Sequence, residues 1–153
     1  MAVALGQEAP GFALRNQHGQ TVSLADFRGT KNVVVLFYPW AFSRVCSGEL
    51  VQIRDSTSDL SNETSELVAI SCDAMYSLRV LADRDGLRFT LLSDFWPHGG
   101  VARSYGIFDE TLGIAGRSTF IVDRDGIVRW QVSNAIGEAR DLGAYRTVLG
   151  DLA

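Results

Sequence analysis

Hydrophobic residues fall along the chain in short blocks, and two of these blocks have the length and composition of buried β-strands. Residues 33–38 and 67–71 are nearly continuous apolar runs rich in β-branched side chains, which is typical of strands covered on both faces. Between them, residues 47–60 predict a helix that carries Leu50 and Ile53 on one face. The pattern therefore predicts a β-α-β unit with two parallel strands.

Shorter patterns predict the remaining elements. A helix is expected over residues 76–84, ending near Gly86, and a closing helix over residues 141–149. Residues 118–122 and 127–132 indicate two strands, joined by the turn sequence Asp123-Arg124-Asp125-Gly126 of a hairpin. The smaller expected elements are a strand and helical turn over 22–29, an extended segment at 90–92 and a helical turn at 100–105.

This order of elements predicts an α/β fold with a mixed central sheet and helices on both faces. A β-α-β unit followed by a hairpin and a last helix resembles the thioredoxin-like arrangement. The 153 residues contain no repeat, linker or low-complexity segment. We therefore expect one domain over residues 1–153, large enough to bury a core.

Composition and charge narrow the classes of function. Hydrophobic residues make up 46% of the chain, as in a globular protein, and the net charge of −4 argues against nucleic acid as the main partner. The first eight residues contain no basic side chain, unlike a signal peptide. The apolar run 33–42 is shorter than the roughly 20 residues that cross a bilayer. We expect a cytoplasmic protein without a membrane partner.

The candidate chemistry centres on Cys46, which follows the first predicted strand. The thiol is expected at or near a helix N-terminus, where unpaired N–H groups and the helix dipole favour an anion. Because the thiolate is the nucleophilic form, this position predicts a reactive cysteine and not an inert core thiol. A Cys-x-x-Cys exchange motif is excluded, since Glu49 occupies its second position. Two cysteines and two histidines so scattered do not support a metal site.

Five features in the same order resemble the peroxiredoxin family. Pro39, Ser43 and Cys46 match the peroxidatic pattern Pro-x-x-x-(Thr/Ser)-x-x-Cys, and Glu49 follows as in many members. Arg117 opens Arg-Ser-Thr-Phe-Ile-Val-Asp, which is similar to a second family motif. The other matches are Ala9-Pro10-Gly11-Phe12 and Ser93-Asp94-Phe95-Trp96-Pro97-His98-Gly99. The last of these most resembles the alkyl hydroperoxide reductase E subgroup of one-cysteine peroxiredoxins.

The resemblance implies that the Cys46 thiolate attacks one oxygen of a hydroperoxide, while the other leaves with developing negative charge. The Ser43 hydroxyl and the N–H groups of Val45 and Cys46 would donate hydrogen bonds to the peroxide. Ser43 can cap the helix at the same time. Arg117 would favour the thiolate and stabilise the transition state, and Pro39 would shield the sulfur.

Four other residues have roles that the sequence leaves more open. Glu49 is expected to hold Arg117 in place, the alternative being a solvated helix residue. Trp40 and Trp96 are candidates for the substrate mouth, although for Trp96 we favour packing or an interface. His98 has no histidine or acidic partner at a useful spacing, and we expect an ordinary loop residue.

The second cysteine, Cys72, closes the predicted strand 67–71. Since the carboxyl ends of parallel strands face one edge of a sheet, Cys46 and Cys72 are expected on the same side of the molecule. A disulfide needs Cα atoms within about 7 Å. We expect Cys72 to be a buried thiol, with a resolving role as the alternative.

The sequence thus predicts a thiol peroxidase that reduces hydrogen peroxide and small organic hydroperoxides through a sulfenic acid on Cys46. It would need no metal, haem or flavin. An external thiol would regenerate the cysteine, whether thioredoxin, a mycoredoxin-like protein or a low-molecular-weight thiol, and the resemblance implies a homodimer. The alternatives are a peroxide sensor or chaperone-like redox protein on the same fold, and a two-cysteine peroxidase in which Cys72 resolves.

Overall fold

The two long apolar runs form neighbouring strands at the centre of a seven-stranded sheet. The computed structural model describes residues 3–135, 138 and 140–152. In chain order the elements are β1 (Ala13–Asn16), β2 (Thr21–Ser23), a 3₁₀ turn (Leu24–Phe27), β3 (Asn32–Phe37), α1 (Arg44–Asp55), α2 (Thr57–Leu60), β4 (Ser65–Ser71), α3 (Met75–Asp85), β5 (Thr90–Ser93), α4 (Gly100–Ser104), β6 (Phe108–Asp109), β7 (Ile114–Ala115), β8 (Arg117–Val122), β9 (Val128–Asn134) and α5 (Leu142–Leu152). The sheet order is β2-β1-β5-β4-β3-β8-β9, with β6 and β7 paired separately. Strands β3, β4 and β5 run parallel and the outer pairs antiparallel, so the predicted mixed sheet is confirmed.

Alternation along the central strands divides the core between the two faces of the sheet. All residues of β3 are buried. Val34 and Leu36 belong to a core that α1, α3 and α5 cover. Val33 and Val35 point the other way, into a core that includes the N-terminal segment and α4. Helices therefore lie on both faces, as predicted, with the three long ones on one side.

Most predicted elements lie within two residues of their observed bounds, but the helix after Cys46 is shorter than predicted. The first helix ends at Asp55, and the short α2 follows after Ser56, which has the non-helical angles φ −125° and ψ 22°. The Thr57 hydroxyl donates to the carbonyl groups of Ile53 and Arg54, which satisfies acceptors at this break. Strand β1 was not predicted, because it is short and only one of its residues is buried.

Two kinds of feature are absent from the part of the chain that the structure describes. No helix there has the length and apolarity to cross a membrane. No three histidine, cysteine, aspartate or glutamate side chains there lie together in the way that a metal site requires.

Candidate active site

Cys46 lies in the first turn of α1, just beyond the carboxyl end of the central strand β3. Its side chain is completely buried in the helix-covered core. Ser43 is the N-cap of α1, and its hydroxyl oxygen accepts a hydrogen bond from the Cys46 N–H at 3.2 Å. The thiol therefore lies where the helix dipole favours negative charge, as the sequence predicted.

Arg117 reaches Cys46 through the pairing of β8 with β3. The two strands run antiparallel with Leu36 opposite Thr119, so Arg117, the first residue of β8, lies level with the chain just after β3. Its Nη2 lies 3.2 Å from Cys46 Sγ. The Arg117 side chain is only 1% exposed, so solvent and salt screen this contact weakly. The guanidinium is thus placed to stabilise negative charge on the sulfur and on an oxygen beside it.

A buried carboxylate, that of Glu49, joins Arg117 to a second arginine. Glu49 Oε1 accepts a hydrogen bond from Arg117 Nη1, and Oε2 accepts one from the Arg140 backbone N–H at 2.7 Å. Arg140 Nε lies 3.4 Å from Oε1. Burial lowers the pKa of Arg140, while the charge of Glu49 opposes that shift. Glu49 contacts Arg117 as expected and is not a solvated helix residue, because its side chain is 7% exposed.

Arg140 is the residue of this cluster that the sequence analysis missed. Its Nη1 donates to Thr119 Oγ1 at 2.7 Å, and its Nη2 donates to the Phe37 carbonyl at the end of β3. Thr119 Oγ1 also shares a 2.8 Å hydrogen bond with the hydroxyl of Tyr145 on α5. Arg140 follows β9 in a stretch without a recognisable motif, so only the fold brings it to the site. Its contacts tie the chain before α5 to strands β3 and β8.

The loop between β3 and α1 leads into the turn that carries Cys46. Pro39 is buried, and Trp40 is 39% exposed. The Ala41 N–H donates to an Asp73 carboxylate oxygen at 2.9 Å, and the same oxygen accepts from the Ser71 hydroxyl at 2.7 Å. The loop is therefore anchored to the end of β4.

Trp96 lies in the turn that follows β5. It is 81% exposed and lines a shallow groove with residues of β1, β2, α3 and the end of β5. The lining of that groove does not include Cys46 or Arg117, and the place of Trp96 at the substrate mouth stays a prediction. His98 is a loop residue, as expected, whose Nε2 makes a 2.7 Å hydrogen bond with the Gly113 carbonyl.

Cys72 follows β4 on the opposite face of the sheet from Cys46. The two cysteines are free thiols, and each is buried in a different core. Burial raises the pKa of Cys72 to about 11, with the charge of Asp94 acting in the same direction. The two cysteines therefore follow strand ends at the same edge of the sheet, as expected, but their side chains enter different cores. The sequence does not reveal into which core each side chain turns. In the folded protein the two thiols thus belong to different cores.

Known proteins resemble this chain over nearly its whole length. Residues 5–131 match the model of the AhpC/TSA family. The chain is 45% identical over 148 residues to alkyl hydroperoxide reductase E of Mycobacterium tuberculosis, covering 97% of each protein. It is 32% identical over 151 residues to the chloroplastic peroxiredoxin Q of Oryza sativa subsp. japonica, covering 98% of this chain and 68% of that protein.

Solved structures give the same result for the fold. The crystal structure of Enterococcus faecalis AhpC matches with a TM-score of 0.88 and 28% identity, covering 99% of this chain and 92% of that one. The crystal structure of peroxidoxin BcpB from Mycobacterium tuberculosis matches with a TM-score of 0.85 and 25% identity, covering 97% of each chain. Together with the sequence matches, this shows that the chain belongs to the AhpC/TSA family of peroxiredoxins and is a thiol-dependent peroxidase with a thioredoxin-like fold.

Proposed function

We propose that this peroxiredoxin reduces hydrogen peroxide and small organic hydroperoxides with Cys46 as the attacking thiolate. The observation that carries the proposal is the 3.2 Å contact between Cys46 Sγ and the Arg117 guanidinium at the start of α1. The sulfur attacks the terminal oxygen, and the O–O electron pair goes to the leaving oxygen. Cys46 becomes a sulfenic acid, and the leaving oxygen takes up a proton to depart as water or an alcohol.

Each polar group around the sulfur has a separate role in this step. The Arg117 guanidinium stabilises the charge that develops on the leaving oxygen. Ser43 accepts from the Cys46 N–H, so its own proton remains free to donate to the peroxide. Glu49 and Arg140 act through Arg117, because they fix the direction of its guanidinium.

Access to the sulfur is limited by the loop before α1. Pro39 has no N–H to attract water and shields the thiolate, while the partly exposed Trp40 shapes the entrance. Since Cys46 is completely buried, we expect small hydroperoxides to react faster than bulky ones.

We propose that an external thiol restores Cys46. A thiolate attacks the sulfenic sulfur, forms a disulfide and releases hydroxide, which takes up a proton to become water; a second thiol then cleaves the disulfide. The reductant is thioredoxin, a mycoredoxin-like protein or a low-molecular-weight thiol. Cys72 is the weaker candidate for this step, because it is buried in the other core.

We further propose that the chain is a single-domain cytoplasmic protein that forms a homodimer. One sheet takes strands from Ala13 to Asn134, which supports a single domain. The dimer rests on the family resemblance, and sedimentation equilibrium tests it: a mass of one chain at micromolar concentration contradicts it.

The experiment that tests the proposed function is turnover with a supplied thiol. Substoichiometric protein, with hydrogen peroxide and an excess of dithiothreitol, should consume many equivalents of peroxide per chain. Consumption that stops at one equivalent, with a persistent sulfenic acid, would favour the peroxide-sensing alternative.

A further inference from the structure

Arg84 on α3 contacts the chain on both sides of Cys46. Its guanidinium carbon lies 5.0 Å from the centre of the Phe42 ring, a cation–π geometry. Its Nη2 donates to the Ser47 hydroxyl at 3.3 Å. Phe42 precedes the helix cap, and Ser47 immediately follows Cys46, so one side chain bridges both ends of residues 42–47, which we term the cysteine turn.

The next residue of α3 fixes the direction of Arg84. Arg84 Nε and Nη2 donate to the two carboxylate oxygens of Asp85, at 2.8 and 2.9 Å. This two-pronged pairing uses the planar fork of arginine, which a lysine cannot reproduce. Hydrogen bonding from Arg84 also holds the pKa of the Asp85 carboxyl below its usual range.

The cysteine turn contains an unfavourable backbone conformation that favours its opening. Phe42 has a φ of 67°, a left-handed conformation that is unfavourable for a bulky side chain. The residue is 43% exposed, so packing alone restrains it weakly. The contact with Arg84 therefore adds to the hydrogen bonds of the Ser43 cap in holding this turn.

Closure of the cysteine turn should hinder reduction by a thiol more than oxidation by a hydroperoxide. A hydroperoxide is small, whereas a reducing thiol must bring its sulfur to bonding distance of the Cys46 sulfur. Cys46 is completely buried in the closed structure. The reductive half therefore depends on opening this turn more strongly than the oxidative half does.

We propose that Arg84 is a positioning residue that holds the cysteine turn closed over Cys46 and thereby sets how readily an external thiol reaches the oxidised cysteine. The inference rests on the proposed function, because it requires a sulfenic acid on Cys46.

The test compares two rates in the same protein. One is the second-order rate of oxidation by hydrogen peroxide, followed by intrinsic fluorescence. The other is the rate at which the sulfenic acid consumes the coloured aromatic thiol 5-thio-2-nitrobenzoate. In Arg84→Met, the ratio of thiol rate to peroxide rate should rise about two- to fivefold, the factor that an exposed cation–π contact supplies. Arg84→Lys should show a smaller rise, because it keeps the charge.

Arg54→Met is the matched control. Arg54 also links α1 to the end of α3, through a 2.6 Å hydrogen bond to the Asp85 carbonyl, but within the described part of the chain it makes no hydrogen bond or cation–π contact with Phe42 or Ser47. Its ratio should equal that of the wild type. A raised ratio in Arg54→Met would show that loosening the contact between α1 and α3, and not the Arg84 contact with the cysteine turn, sets the ratio, and would overturn the inference.

Phe42→Leu supplies a second route to the same result. This substitution removes the ring from the Arg84 contact, so it should raise the ratio of thiol rate to peroxide rate. The double variant Arg84→Met/Phe42→Leu should raise that ratio no further than the larger of the two single changes. A wild-type ratio in Arg84→Met, or fully additive effects in the double variant, overturns the inference. A wild-type protein that forms no sulfenic acid overturns the proposed function instead.

Discussion

Replacing Glu49 by glutamine should weaken both the fold and the peroxide reaction. The carboxylate receives hydrogen bonds from the Arg117 guanidinium and the Arg140 N–H, and it balances two side chains that are each 1% exposed. Glutamine offers one acceptor oxygen, and its amide N–H groups would face donors. Removing one partner of a buried ion pair costs about 3–5 kcal/mol. That is a large part of the roughly 5–15 kcal/mol that stabilises a domain.

Urea unfolding, followed by circular dichroism, measures the effect on stability. With a slope of about 1–3 kcal/mol per molar urea, the midpoint for Glu49→Gln should fall by at least about 1 M. Glu110→Gln is the control, because it removes the same charge from an ion pair with Arg103 whose side chains are 68% and 49% exposed. Such exposed pairs contribute at most about 1 kcal/mol.

Stopped-flow oxidation by hydrogen peroxide measures the effect on activity. Without the carboxylate, the Arg117 guanidinium loses an anchor, and a misplacement of this kind lowers a rate by up to about 100-fold. If Glu49→Gln unfolds at the same urea concentration as Glu110→Gln and reacts at the wild-type rate, the charge balance that we assign to this cluster is wrong.

Three further predictions concern individual residues. Arg117→Met should lower the peroxide rate by about 100- to 1000-fold, and a wild-type rate would exclude Arg117 from the reaction. The pKa of Cys72 is raised from 9.0 to about 11, so its thiolate fraction at pH 8 should be about a hundredfold below that of an ordinary thiol. For the same reason, the stability of the protein should fall as the pH rises from 9 towards 11. Rapid alkylation of Cys72 at pH 8, measured by peptide mass spectrometry, would contradict this prediction. Ser43→Ala should cost about 1 kcal/mol of stability and slow the peroxide reaction, whereas Ser43→Thr should preserve both.

The central sheet could be predicted because the residues of each central strand form an apolar run that is visible in the sequence. Residues 33–38 and 67–71 are apolar almost throughout, which is typical, at that length, of a strand buried on both faces. The position of Cys46 followed from the same logic, since a helix directly after such a strand places its N-terminus at the sheet edge. Pro39, Ser43, Glu49 and Arg117 were singled out through their resemblance to peroxiredoxin motifs.

The remaining features depend on contacts between residues far apart in the chain. Arg140 enters the site through hydrogen bonds to Glu49, Thr119 and Phe37, which no local pattern announces. Arg84 likewise reaches the cysteine turn only because α3 packs beside α1. The separation of Cys72 from Cys46 depends on the direction in which each side chain leaves its element.

The most direct test of the account compares the two cysteines as the site of peroxide chemistry. Purified Cys46→Ser and Cys72→Ser proteins are mixed with hydrogen peroxide and an excess of dithiothreitol, and peroxide consumption is followed over many equivalents. We predict that Cys46→Ser consumes no peroxide above the rate of the thiol alone, while Cys72→Ser retains the wild-type rate. Continued turnover by a folded Cys46→Ser protein would contradict the assignment of Cys46 as the peroxidatic residue.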